Sequence, residues 1–150
     1  MNFSLIIPCY NEEKNIPLLL NKYSKFLESN KSELILVDNG SADGTAKVLK
    51  NINKKNVKIC SIKKNVGYGY GLKKGAMNAK GKVIIFSHAD LEVDPKDITR
   101  AINIYNKQNI INNQKIFIKG NRINKFKNHW TISDIFFSYG LTFFSILLFR

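Results

Sequence analysis

The sequence predicts a single α/β domain built on one mostly parallel β-sheet flanked by helices. Short apolar, β-type runs recur along the chain, and patterns with helical spacing lie between them. Such an alternation is typical of strand–helix–strand units, which join parallel strands. With 150 residues the chain is long enough for one domain with a sizeable core and too short for two.

The predicted strands are the runs in which apolar and β-branched residues follow one another. The run from Val83 to Phe86 is apolar at every position, which is typical of a strand buried on both faces. It stops abruptly at a small polar cluster, and ligands of open α/β sheets bind beyond the carboxyl ends of the strands. The predicted strands are residues 3–9, 33–37, 57–62, 82–86 and 115–118.

Helices are predicted between these strands. The first should begin near Asn15, because Pro17 is tolerated only in a first turn, and its apolar residues should lie on one face. Asp94 is a plausible N-cap for a later helix, with Pro95 suited to the first helical position. The apolar face of the first helix consists of Ile16, Leu19, Leu20, Tyr23 and Leu27, and the other predicted helices are residues 42–53, 72–79 and 95–106.

The last segment has a different character. Residues 132–150 are apolar all round, as in a helix buried in a core or in a membrane. Asp134 and Arg150 leave the uninterrupted part too short to span a bilayer, and the basic and aromatic residues before it suit a helix in the membrane interface. We therefore expect a domain over 1–130 and a C-terminal hydrophobic, membrane-interfacial helix over 131–150. Packing of this helix against a missing or partner segment stays an alternative.

The net charge and the spacing of the two cysteines limit the classes of function that the chain could have. The net charge of +13 implies attraction to nucleic acid, an anionic membrane surface or phosphorylated substrates. Cys9 and Cys60 have neither metal-ligand nor redox spacing, and no cleavable signal precedes the first strand. We expect a cytoplasmic protein.

The loops after the first two strands carry candidate binding residues. Tyr10 could stack on a base and Glu12 could bond a base or ribose, although an N-capping Asn with first-turn acids would also explain this loop. Asp38 closes an apolar strand, where an acid needs a donor, and a base N–H or a ribose hydroxyl would supply one. Turn formation by Asp38, Gly40 and their neighbours is the alternative.

The loops after the third and fourth strands are richer in glycine and in acids. Around Asn65 and Gly67, glycines let a backbone approach a ligand closely, and a helix amino terminus with Lys73 would favour phosphate. Asp90 and Glu92, two residues apart, fit a divalent cation. His88 is either a nitrogen ligand or a structural hydrogen-bonding residue.

Four ordered motifs carry a resemblance to family 2 glycosyltransferases with a GT-A fold. They are Pro8-Cys9-Tyr10-Asn11-Glu12, Val37-Asp38-Asn39-Gly40-Ser41, Asn65-Val66-Gly67-Tyr68-Gly69 and Ala89-Asp90-Leu91-Glu92. The resemblance covers nearly the whole chain and is greatest to polyprenyl-phosphate sugar transferases, whose members continue beyond the hydrophobic segment.

The resemblance implies a role for each matching residue. The UDP- or GDP-linked sugar donor would contact Pro8, Tyr10, Glu12 and Asp38 through its base and ribose, and Ala89 and Asp90 through its diphosphate. Asp90 and Glu92 would match the second and third positions of the metal-binding motif, with His88 in place of the first acid. Gly120-Asn121-Arg122 looks like the family's Gly-Ser-Arg segment, which makes Arg122 a candidate phosphate clamp. Asp90 and Arg122 would therefore be the catalytic residues.

The resulting hypothesis is an inverting transfer of a sugar to a polyprenyl-phosphate or glycan acceptor. It implies a divalent cation, Mg²⁺ or Mn²⁺, and a position on the cytoplasmic face of the membrane. A second hypothesis is a truncated nucleotide-sugar-binding module without turnover, which would need a partner chain or self-association. A nucleic-acid-binding role is a third, which we do not favour because acids in the same loops oppose a polyanion groove.

Overall fold

The computed structural model describes residues 2–28, 31–112 and 116–120. Strands and helices alternate, and the four described strands form one parallel sheet with helices on both faces, which confirms the predicted fold class. In chain order the elements are β1 (Phe3–Cys9), α1 (Asn15–Lys22), α2 (Ser24–Glu28), β2 (Ser32–Asn39), α3 (Thr45–Lys50), β3 (Val57–Ile62), α4 (Tyr68–Ala76), β4 (Val83–Phe86) and α5 (Pro95–Asn112).

The sheet has the strand order β3-β2-β1-β4, with every neighbouring pair parallel. The register sets Cys9 beside Asp38 and Ile6 beside Phe86. Because all four strands run the same way, the loops that follow them emerge at one edge of the sheet. The predicted strand over 115–118 is wrong where it is described, since residues 116–120 carry no regular structure. An apolar run alone does not make a strand without a ladder partner.

One face of the sheet packs against α1, α2, α3 and α5. Leu5, Ile7, Leu34 and Leu36 meet the predicted apolar face of the first helix, which is confirmed. The predicted single helix is instead two, α1 and α2, because the chain departs from helical geometry at Tyr23 (φ −92°, ψ 9°). Tyr23 stays buried at this break.

The other face is covered by α4. Gly71 and Gly75 are buried, and an added Cβ on Gly75 would collide with Ile6, so the absence of side chains lets α4 lie directly on β1. Helix α4 does not cover β4, whose Ile84 and Phe86 side chains are 38% and 49% exposed. The prediction that this strand is buried on both faces is therefore wrong for the described structure, because α4 packs on β1, β2 and β3 instead.

The position of β4 is fixed by a buried carboxylate at the opposite edge of the sheet. Glu33 accepts hydrogen bonds from the Ser4 hydroxyl (2.6 Å) and from the Lys80 backbone N–H (2.6 Å). The Ser4 oxygen in turn accepts from the Gly81 N–H (2.8 Å). These bonds supply the donors that a buried acid requires.

Helix α5 begins as predicted. Asp94 Oδ1 accepts the Lys96 N–H at 2.8 Å, so Asp94 is the N-cap and Pro95 takes the first helical position. No helix within the described ranges is long and apolar enough to cross a membrane. The predicted hydrophobic helix over 131–150, like Arg122, lies outside the described residues.

Candidate functional site

Each of the four loops at the carboxyl edge of the sheet contains one residue with a left-handed backbone. These residues are Asn11 (φ 57°), Gly40 (φ 70°), Gly67 (φ 97°) and Leu91 (φ 64°). A non-glycine residue in this region is uncommon, and such strain concentrates at functional sites. The loops that the sequence selected are thus also the ones with unusual backbone geometry.

The loops after β1 and β2 are tied together by Asn11. Its backbone N–H donates to the Ser41 hydroxyl (3.1 Å), and its side-chain oxygen accepts the Ala42 N–H (2.9 Å). Asn11 therefore does not cap α1, whose N-cap position is Lys14 without a side-chain bond. That alternative explanation of the loop is wrong, because the residue bridges two loops instead.

The loops after β2 and β3 are tied together by Asn39. Its amide nitrogen donates to Asn65 Oδ1 (3.2 Å) and to the Gly67 carbonyl (3.1 Å). Gly40 lies so close to the third loop that an added Cβ would be 2.5 Å from the Asn65 nitrogen. Any side chain at position 40 would push the two loops apart.

The loops enclose a cleft of about 280 Å³. Its lining brings together residues from the carboxyl ends of β1 and β2 and from the segments that follow β1, β3 and β4, so the predicted convergence at this edge is confirmed. The lining residues are Pro8, Cys9, Tyr10, Glu12, Asn39, Asn65, Gly67, Tyr68, His88, Ala89 and Asp90.

Asp38 and Gly40 support the cleft without lining it. Asp38 is buried, and its Oδ1 accepts the Ser41 N–H at 3.0 Å. This is the turn chemistry that the sequence left as an alternative. A contact between Asp38 and a base stays a prediction.

Asp90 shapes the loop after β4. Its Oδ1 accepts the Glu92 N–H at 3.1 Å across the left-handed Leu91. This turn leaves the second carboxylate oxygen of Asp90 for a ligand. Glu92 is not among the lining residues, so the structure does not bring the predicted metal pair together at the cleft.

His88 stacks on Tyr68. The Tyr68 hydroxyl donates to the Ser87 carbonyl at 3.2 Å, which fixes the ring beneath the loop after β4. Burial, followed by the nearby charge of Asp90, raises the pKa of Tyr68. The imidazole is thereby held at the cleft by an aromatic partner from the start of α4.

Cys9 lies at the base of the cleft as an inert thiol. Burial, followed by the charges of Glu12 and Asp38, raises its pKa from 9.0 to about 12. A thiol that stays protonated at neutral pH is a poor nucleophile. Cys9 therefore packs beneath the site as a small buried side chain.

The comparison with known protein families decides the identity of the chain. Residues 4–148 match the family described as Glycosyl transferase family 2. The chain belongs to that family.

Individual relatives agree with this assignment. The dolichyl-phosphate beta-glucosyltransferase of Dictyostelium discoideum is 34% identical over an alignment of 115 positions, which covers 69% of this chain and 35% of that protein. The undecaprenyl-phosphate 4-deoxy-4-formamido-L-arabinose transferase of Proteus mirabilis is 39% identical over an alignment of 105 positions, which covers 66% of this chain and 32% of that protein. This family 2 chain spans about a third of the length of these relatives.

Solved structures confirm the GT-A-like fold of this family 2 chain. TarS 1-349 from S. aureus superimposes with a TM-score of 0.59 at 27% identity, over 71% of this chain and 33% of that chain. The same protein in complex with UDP-GlcNAc gives a TM-score of 0.54 at 27% identity, over 71% of this chain and 32% of that chain.

Two carboxylates line the cleft of this family 2 chain. Glu12 and Asp90 line it, and no Lys or Arg does among the described residues. Lys73, predicted at a helix amino terminus, lies instead in the last turn of α4, because that helix begins at Tyr68. Lys73 does not line the cleft, and its contact with phosphate stays a prediction.

A metal ion at the cleft would need ligands beyond those that the described residues supply. No group of three or more His, Cys, Asp or Glu side chains that could hold a metal occurs in the described ranges. A magnesium-type ion is commonly bound by one or two carboxylates together with substrate phosphates and water. Asp90 therefore fits an ion that shares its coordination with a diphosphate.

Three lining residues were missed as individual site residues. Cys9, Asn39 and Tyr68 all stand inside the motifs that carried the resemblance. Cys9 and Asn39 end strands β1 and β2, and this position was a usable signal for both, whereas Tyr68 begins α4. Their contacts depend on loop packing, which no local pattern in the sequence reports.

Proposed function

We propose that this chain forms the donor-binding part of a glycosyltransferase that moves a sugar from a nucleotide-sugar to a polyprenyl-phosphate or glycan acceptor. Family membership supports sugar transfer. The two relatives described above are named for transfer to dolichyl phosphate and to undecaprenyl phosphate, and the TarS complexes contain UDP and UDP-GlcNAc.

The convergence of four strand-end loops on one cleft carries this proposal. Tyr10 and Glu12 line the cleft from the loop after β1, with Pro8 at the end of that strand. His88 and Asp90 line it from the loop after β4. A nucleotide would place its base and ribose against the first group and its diphosphate against the second.

The charge of the cleft supports a divalent cation, Mg²⁺ or Mn²⁺. A diphosphate next to Glu12 and Asp90 would be repelled unless a cation came with it, because no Lys or Arg of the described chain lines the cleft. Asp90 would hold such an ion through its available carboxylate oxygen. When bound, the ion would supply positive charge to the departing nucleoside diphosphate.

The residues of this chain would then bind and orient the donor. The stack with Tyr68 holds the His88 ring at the cleft, and the turn at Leu91 aims the Asp90 carboxylate. A lipid-phosphate acceptor is already an anion and needs no general base to remove a proton. The reaction would therefore depend on positioning and charge stabilisation.

We place this activity at the cytoplasmic face of a membrane. A lipid acceptor would lie in the bilayer, and each cationic side chain near an anionic leaflet strengthens attachment. The net charge of +13 supports such attachment.

Calorimetry tests the donor site. UDP and GDP are titrated into the full chain with and without Mn²⁺, for the wild type, Asp90→Ala and Asp90→Asn. Asparagine keeps an oxygen that can accept the Glu92 N–H but removes the charge, so it separates loop geometry from metal binding. We expect metal-enhanced binding of one nucleotide to the wild type, lost in both variants. Absence of nucleotide binding under all conditions would overturn the proposal.

Turnover is tested separately with the nucleotide-sugar of the preferred base and undecaprenyl phosphate in vesicles. Release of nucleoside diphosphate together with a glycosylated lipid is the expected result. Metal-dependent binding without transfer to lipid or glycan acceptors would favour the donor-binding module instead.

A further inference from the structure

A second groove lies behind the loop that carries Asp90. It has a volume of about 460 Å³. It lies between the start of α5 on one side and α2, together with the last residue of α1, on the other. The groove and the donor cleft share no lining residue, but they share one loop: Asp90 lines the cleft and Asp94 lines the groove. The groove residues are Lys22, Lys25, Phe26, Asp94, Pro95, Lys96, Thr99, Arg100 and Asn103.

The groove combines an apolar lining with a cationic rim. Phe26 and Pro95 contribute apolar surface, and long basic side chains add their aliphatic stems while keeping their charges in solvent. Four of the lining residues are Lys or Arg, against a single acid. That acid, Asp94, is engaged as the N-cap of α5 through its bond to the Lys96 N–H.

Most of these cations have no partner within the described chain. Lys22 donates to the Leu91 carbonyl at 2.8 Å, which ties the groove to the donor loop. Within the described ranges, Lys25, Lys96 and Arg100 have no side-chain hydrogen bond or ion pair. Three exposed cations without partners, arranged around an apolar floor, are complementary to an anionic group attached to an apolar chain.

We propose that this groove binds the phosphate headgroup of an anionic membrane phospholipid. The rim cations would take the phosphate, and Phe26 and the aliphatic stems would contact the first part of the acyl chains. The Lys22–Leu91 bond would then hold the donor loop next to the bilayer surface. This assignment deepens the proposed function, since it rests on the membrane location and names the surface that makes the contact.

Vesicle co-sedimentation of the full chain tests the assignment. Partition is measured on phosphatidylcholine vesicles with and without phosphatidylglycerol, and the ratio of the two values isolates headgroup charge from apolar insertion. The groove variant carries Lys25→Gln and Arg100→Gln. A matched control carries Lys54→Gln and Lys55→Gln, two exposed residues before β3, which is the strand at the other end of the sheet from β4.

We expect the wild type to prefer the anionic vesicles. The preference of the groove variant for anionic vesicles should be about 25-fold lower than that of the wild type, which is about fivefold for each cation removed. The control should keep most of the preference. Equal losses in the two variants would mean that overall charge drives attachment, and that result would overturn the assignment. A wild type without any preference would overturn it as well.

Two further measurements keep this test separate from the donor site. Circular dichroism and thermal unfolding confirm that both double variants are folded. Calorimetry with UDP and GDP on the same proteins should give unchanged nucleotide affinity. Loss of lipid preference with intact nucleotide binding supports the groove, whereas failure of nucleotide binding in the wild type would count against the donor site alone.

Discussion

Tyr68 and His88 stack face to face, with their ring centroids 4.5 Å apart and their planes 1° from parallel. The pair joins the start of α4 to the loop after β4, two segments that both line the cleft. By resemblance, His88 stands where related enzymes have the first acid of their metal-binding motif. The stack therefore gives this position a fixed aromatic partner in place of a charge.

Removing the Tyr68 ring should weaken nucleotide binding. An aromatic pair contributes about 0.5–1.5 kcal/mol, so Tyr68→Leu should lower the affinity for UDP or GDP by up to about tenfold. Tyr68→Phe keeps the ring and loses only the bond to the Ser87 carbonyl, so its affinity should lie closer to that of the wild type. Calorimetry in the presence of Mn²⁺ measures both.

Tyr70→Leu is the matched control for this prediction. Tyr70 lies in the same helix, is 49% exposed and does not line the cleft. An equal loss of affinity in Tyr70→Leu and Tyr68→Leu would contradict the role of the stack and would point to a general effect on α4.

Converting Asn39 into an acid should open the second and third loops. Asn39→Asp removes both hydrogen bonds from the side-chain nitrogen and faces a carboxylate toward two oxygen acceptors. We expect a loss of about 2 kcal/mol or more in unfolding free energy, together with weaker nucleotide binding. Denaturant unfolding and calorimetry measure the two effects.

Asn56→Asp provides the comparison, since Asn56 donates one side-chain bond to the Leu27 carbonyl (2.9 Å) and does not line the cleft. It should cost stability without changing nucleotide affinity. If Asn39→Asp likewise left nucleotide affinity unchanged, the bridge from Asn39 would not be shaping the cleft.

The strands and the cleft edge were predictable because their signals are local. Apolar runs predicted β1 and β3 at their observed bounds. The preference of Asp for the N-cap position predicted the start of α5 at Asp94. The convergence of the loops follows from parallel topology alone. Most of the predicted binding residues consequently line the observed cleft.

The errors arose where distant packing decides the structure. The exposure of Phe86 depends on where α4 lies across the sheet, which the apolar run of β4 does not encode. Helix α4 begins at Tyr68, ahead of the predicted start, so Lys73 moves from the first turn to the last. Asn39 is hydrogen-bonded to Asn65 and Gly67, which follow it by 26 and 28 positions in the sequence. No periodic pattern extends over such a separation.

Two glycines of α4 should respond in opposite directions to alanine. An added Cβ at Gly75 would overlap with Ile6 Cγ2 and lie 3.2 Å from Val37 Cγ2, so Gly75→Ala should destabilise the protein by about 1–3 kcal/mol. Gly69 has open space around it, and Gly69→Ala should stabilise by up to about 1 kcal/mol through helix propensity. Chemical denaturation of both variants measures the difference, and equal effects would contradict the close packing of α4 on β1.

Cys9 should make the protein less stable at alkaline pH. Its pKa is about 12 in the folded protein and 9.0 as the ordinary value, so the unfolded chain loses the thiol proton first as pH rises. Below pH 9 both states keep the proton and the thiol contributes no pH dependence. Between pH 9 and 12 the wild type should lose up to about 1.4 kcal/mol per pH unit relative to Cys9→Ala, which has no thiol to titrate.

The measurement is the difference in unfolding free energy between wild type and Cys9→Ala across pH 7–11, in which the titration of all shared groups cancels. Cys60→Ala should show a change of the same sign, because burial also raises the pKa of Cys60, whereas Lys58 and Lys74 lower it. If the difference in unfolding free energy between the wild type and Cys9→Ala stayed constant above pH 9, the folded protein would tolerate the Cys9 thiolate. The thiol would then have solvent or a donor beneath the cleft, contrary to its full burial.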